Sequence, residues 1–178
     1  MRWMQDGLPA LGRRTTVRWL GSSVVELAIH DAEPPFAEVT LVVFLVPRDL
    51  PWGWPLARLR GRRDTLIVRG VLRKAPRTEL EALDPASWSG RDALPRVPKE
   101  WAVDASRTDG IRVHHAGEHA LELAGELLAL APAAWSLVRL SLRRREPNVQ
   151  LHVALPDRRE SARVFFGAVR TLAVRATA

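Results

Sequence analysis

The sequence predicts an α+β fold: a mainly antiparallel sheet that opens as an N-terminal β-meander, joined to a C-terminal β-α-β-β-α unit. Three observations predict it. Before residue 75 the apolar residues come in short alternating runs parted by Gly, Ser and Pro. From Glu118 to Arg175 the apolar period changes from helical to two and back to helical. With 47% hydrophobic and 26% charged residues the composition is that of an ordinary globular chain, and 178 residues suffice for a sizeable core.

Residues 1–12 read as a loose lead-in. Val17 and Trp19 mark a first strand, and Val25, Leu27 and Ile29 a second after the turn Gly21, Ser22, Ser23. A third runs from Phe36 to Val46 after the break Glu33, Pro34, Pro35, and it is apolar enough beyond Thr40 for a strand covered on both faces. Pro47 closes this three-stranded meander, and Thr65 to Leu72 reads as a fourth strand. Between Lys74 and Glu100 the prolines Pro76, Pro85, Pro95 and Pro98 suggest an irregular stretch, a linker or surface loop, with a short helical turn at Thr78 to Leu83. Trp101 to Ala105 reads as one more short strand.

The C-terminal part is the clearest. Ala120, Leu121, Leu123, Ala124, Leu127 and Leu128 recur at three and four, while His115, Glu118, His119, Glu122 and Glu126 fall on the other side: an amphipathic helix stopped by Pro132. Val138, Leu140 and Leu142, then Val149, Leu151 and Val153, alternate with polar residues as the two arms of a hairpin. Asp157 and Glu160 have capping-box spacing ahead of a last helix, whose stripe is Ala162, Phe165, Phe166, Val169, Leu172, Ala173 and Ala176. The expectation is one domain over 1–178 that divides into a β-meander at 13–75, a Pro-rich connection at 76–99 and a β-α-β-β-α unit at 100–176. This layout resembles one that recurs in uncharacterised bacterial α+β domains, some of them membrane-tethered. The matching stretches are Trp101 to Ala105, Leu121 to Leu130 and Val138 to Leu155. They are structural types without a distinctive polar motif, so the resemblance implies no activity.

Several classes of chemistry are disfavoured at once. With no cysteine there are no disulfides, thiolate nucleophiles or cysteine metal sites. No Gly-x-Ser-x-Gly elbow and no phosphate-binding glycine loop occurs. No eighteen-residue apolar run is present, and the first residues lack a signal-peptide core, so a cytoplasmic location is expected. His115, Glu118 and His119 form H-x-x-E-H, which resembles the inverted zinc-peptidase signature; on one helix the two histidines can hold zinc while the glutamate acts as base. Against it, only 59 residues follow in which to find the further acidic ligand, and Gly117 weakens the helix. Glu122 is a substitute third ligand, but a solvated helix face explains these residues equally well. No cofactor is expected. His114 beside His115 is a pH-sensitive pair or simply an exposed one, and Asp104 and Asp109 are carboxylates without a partner motif.

Charge is distributed unevenly: residues 1–77 hold 13 Lys+Arg against 7 Asp+Glu, residues 78–130 hold 5 against 10, and residues 131–178 hold 9 against 3. Two basic patches stand out. Trp52 and Trp54 with Arg58, Arg60, Arg62 and Arg63 combine stacking surfaces with cations, the pairing suited to nucleic acid or an anionic lipid surface. Arg143, Arg144 and Arg145 belong to a hairpin tip, and Arg158 and Arg159 open the last helix against its dipole, which points to a partner or an anion. The bland alternative is solvated turns, with the arginine excess reflecting GC-rich coding. Since the polar residues are expected on wet faces rather than converging, the favoured function is a non-enzymatic protein-interaction or assembly module, by self-association or with a charged partner. Binding of nucleic acid or anionic lipid comes next, and a zinc hydrolase last.

Overall fold

The computed structural model of the chain describes residues 2–46, 63–106, 109–131, 136–155 and 161–178. The first four strands, β1 (Gly12–Trp19), β2 (Val24–Ala32), β3 (Phe36–Phe44) and β4 (Thr65–Leu72), form the expected meander. The hairpin of β8 (Leu137–Leu142) and β9 (Val149–Ala154) continues it, because β9 pairs with β4. Beyond β8 lie β5 (Leu80–Leu83), β7 (Arg112–His115) and β6 (Ala102–Asp104), so among the described residues nine antiparallel strands run in the order β1-β2-β3-β4-β9-β8-β5-β7-β6. The two halves of the chain therefore share one sheet. An α+β fold on an antiparallel sheet is what the periods foretell.

Alternation along the strands gives the sheet two unlike faces. On the first, Leu27 stands in register with Leu41, Leu41 with Val68, Val68 with Leu151, and Leu151 with Leu140. Helices α1 (Arg2–Gly7), α3 (Glu118–Leu130) and α4 (Ala162–Thr177) bury their apolar sides on this row. The stripe read from the sequence of α4 is its buried side residue for residue. Arg163 and Arg170, off that stripe, donate to the carbonyls of Asp6 and Pro34 and pin the helix at both sides. Its N-cap is Ser161, while Asp157 and Glu160 lie outside the described residues.

Four expectations need correction. The lead-in is ordered: α1 and a 3-10 turn (Leu8–Ala10) bury Met4, Leu8 and Leu11, and Trp3 packs at 6.0 and 6.1 Å from the rings of Phe165 and Phe166. Residues 80–83 are not a helical turn but β5, buried at all four positions between β7 and β8. The stretch 76–99 is thus no surface connection, since it supplies an interior strand together with α2 (Trp88–Ala93). Finally, His115 does not lie on the polar side of the helix: it belongs with His114 to β7, and both are buried rather than exposed. Short strands inside a wide sheet carry too few residues to display a period, so local pattern cannot reveal them. Among the described residues no helix is long and apolar enough to cross a membrane.

Candidate functional site: an arginine groove on the second sheet face

The second face is where the chemistry collects. Successive registers place His114, Glu81, Ser141, Gln150, Arg69 and Thr40 side by side across β7, β5, β8, β9, β4 and β3. A row of polar side chains in mid-sheet needs partners or water. Part of it lies under a third layer, built from α2 and the 3-10 turn Leu94–Arg96, in which Ala93 and Val97 form a small apolar cluster with Leu83, and Trp101 packs against it. This layer is seated by its own turn. Ser87 caps α2 by accepting from the Gly90 amide, and a side chain at Gly90 would collide with the carbonyl of Asp84.

Beneath that cover sits Glu81, whose side chain has 0% exposure. Arg139 donates to its Oε1 at 2.5 Å, and Arg143 and Ser141 donate to its Oε2, each at 2.8 Å. The Arg143 guanidinium also lies 4.4 Å above the centre of the Trp101 ring. One carboxylate therefore orients two guanidiniums whose side chains are only 11% and 10% exposed. Two positive charges against one is an incomplete balance for buried groups.

These arginines line a groove of about 300 Å³ that Arg69, Arg96, Arg145 and Gln150 complete, with Glu146 at its margin. Arg96 is engaged by Asp92 at 2.8 Å. Arg69 and Arg145 are exposed and have no ion-pair partner among the described residues. Two histidines border the site. His152, held by Ser89 Oγ at 2.6 Å from its Nδ1, is pushed down to about 3 by burial first and then by Arg139 and Arg69. Burial also lowers His114, with Arg112 and Arg143 adding to it against an opposing pull from Glu81. Both shifts favour the neutral imidazole. Their Nε2 atoms are buried without a hydrogen-bond partner among the described residues. The larger hollow, around Arg14, Thr15, Thr16 and His30, is open and shallow on the edge strand, and it gathers no comparable set of donors.

The expected basic patches come apart in the fold. Arg143 is not part of a solvated hairpin tip but is buried on Glu81. Arg144 turns away, its amide donating to Glu79 and its guanidinium to the Arg77 carbonyl, and Arg145 stays at the groove. Arg63 is exposed just ahead of β4 and does not line the groove. Trp52, Trp54, Arg58, Arg60, Arg62, Arg158 and Arg159 lie outside the described residues. The H-x-x-E-H spacing does not fall on one helix: His115 ends β7 with Nδ1 2.9 Å from the Gly117 carbonyl oxygen, and α3 starts at Glu118. His119 and Glu122 sit exposed on α3, 3.9 Å apart. No group of three potential metal ligands converges among the described residues. Asp104 and Asp109 accept from the amides of Ser106 and Ile111, two residues on, as turn-forming carboxylates do.

Comparison with known proteins finds no matching family model and no matching curated protein. The site must speak through its geometry. Glu81, Arg69, Arg96, Arg139, Ser141 and Gln150 are not among the site residues that the sequence singles out. A signal existed in the charged residues standing mid-strand among apolar neighbours, Glu81 in Leu80–Leu83 and Arg69 in Thr65–Leu72. A charge placed there must find a counter-charge or a solvent-filled hollow.

Proposed function

We propose that this chain is a non-enzymatic interaction module that holds an acidic segment of a protein partner in the arginine groove. What supports the reading is the surplus of guanidinium at one place: part-buried Arg139 and buried Arg143 share a single carboxylate, with Arg69 and Arg145 beside them. Arginine stays protonated under all ordinary conditions, so these groups bind anions and do not shuttle protons. The floor carboxylate, Glu81, is occupied by three donors. That arrangement favours recognition over turnover. A labelled poly-glutamate peptide is expected to bind at low salt, as read by fluorescence anisotropy, and to weaken as salt rises because the contact is ionic. Changing Arg69 and Arg145 together to Ala should abolish it. Indifference of the signal to that double change would remove the reading.

A second reading, self-association, is favoured by one observation. Among the described residues the outer strand β1 has a neighbour on one side only, and Val17, Trp19 and Leu20 at its end are exposed. Open edges of this kind recruit another strand. Light scattering across a concentration series tests it, and a mass that stays at one chain throughout rejects it.

A further inference from the structure

We propose that the group seated in the groove is a dianionic phosphate, free or carried as a monoester, set between Arg139 and Arg143 on the floor and Arg69 and Arg145 at the mouth. This rests on the groove being an anion site, and it narrows which anion.

Charge, size and donor geometry agree. Among the described residues the five arginines of the groove face Glu81, Glu146 and, through Arg96, Asp92, which leaves a surplus of two positive charges. A single carboxylate would balance half of it; a phosphate monoester near neutrality carries nearly two. The volume of about 300 Å³ suits a compact head group. Guanidinium forks come at it from β4, from β8 and from the β8–β9 loop, and a terminal phosphate has three oxygens able to accept from several forks together. The Gln150 side chain, with no hydrogen-bond partner among the described residues, adds a neutral donor.

Glu81 is the positioning residue. Its two oxygens hold Arg139 and Arg143 by one edge each and leave other N–H donors of both forks for a ligand. Trp101 backs the Arg143 guanidinium and stops it from swinging into solvent. Such pre-ordering lowers the entropy lost on binding. Burial first, and then Arg139 and Arg69, lower the pKa of the neighbouring His152, as expected beside a cluster of guanidiniums.

The test is titration calorimetry with inorganic phosphate, pyrophosphate, a phosphoserine peptide and the same peptide unphosphorylated. The three phosphate probes are expected to bind and the plain peptide not. Arg69→Ala and Arg145→Ala, both at exposed positions where folding is safe, should each weaken binding roughly tenfold. Arg14→Ala, on β1 away from the groove, should leave it unchanged. If poly-glutamate binds and phosphate fails to displace it, the acidic-partner reading stands and this inference falls. If neither poly-glutamate nor phosphate binds, both fall. A single-stranded oligonucleotide that binds and resists displacement by pyrophosphate would likewise overturn the assignment.

Discussion

Glu81 carries more of the site than any other side chain. Removing it strands two buried guanidiniums, and loss of one member from a buried ionic cluster costs far more than the cluster contributes. Glu81→Ala is therefore expected to lower stability by about 3–5 kcal/mol in equilibrium urea denaturation. A loss below about 1 kcal/mol, the range of exposed pairs, would show that the cluster is hydrated. His152 makes a pH prediction of definite sign. Its folded pKa is about 3 against 6.5 when free, so below pH 6.5 the unfolded chain takes up a proton that the folded chain refuses. Its contribution to stability is complete above pH 6.5 and declines as pH falls towards about 3, at up to about 1.4 kcal/mol per pH unit. His114, lowered as well, acts with the same sign. Denaturation curves at about pH 7.5 and about pH 5.5 should separate for the wild type and draw together in His152→Asn. Equal curves for the wild type would mean that the imidazole is charged within the fold.

Among the elements, α1 shows how little sequence a structural part can need. It has six residues, too few for a period, yet it lies on α4 through Trp3, Met4 and the ring pair Phe165–Phe166. The close approach depends on Gly7, where a Cβ would stand 2.6 Å from the carbonyl group of Ala162 and from the Phe166 ring. Gly7→Ala is expected to destabilise by about 1–3 kcal/mol through overpacking, measured by thermal or urea unfolding. A neutral outcome would mean that α1 can shift without cost. The same reasoning applies to the layer above the groove, whose turn needs the Ser87 cap. Ser87→Ala should cost about 1 kcal/mol and weaken whatever the groove binds. Elements long enough to show one apolar side, α3, α4 and the β8–β9 hairpin, were legible because solvent on one side and core on the other impose a local rhythm. β5 and β7, four residues each, were not.

At the scale of the molecule the sheet has a middle and two edges, and they should open unequally. Amides of β4 and β9, flanked on both sides and lying in the centre of the order, are expected to exchange with solvent most slowly, and those of β1 and the three-residue β6 fastest. Hydrogen exchange followed by mass spectrometry gives the ranking, and early exchange of β9 would contradict a sheet continuous across its centre. The site has its origin at this scale too. Glu81 and Arg143 stand 62 residues apart in the chain, and Arg69 is more distant still from the groove residues Arg139 and Gln150.

By itself the sequence determined the α+β class, the meander, the last hairpin and the helices that cover one face, since each follows from burying an apolar side that a few consecutive residues announce. It also carried the signature of a basic chain. Only the tertiary structure decided that the two halves join at β4 and β9, that a proline-rich stretch hides an interior strand, and that an arginine taken for a solvated turn residue lies buried on a glutamate from another strand. Strand order is a choice among distant pairings of similar local energy, and a charge becomes a site only when that choice brings its partners beside it.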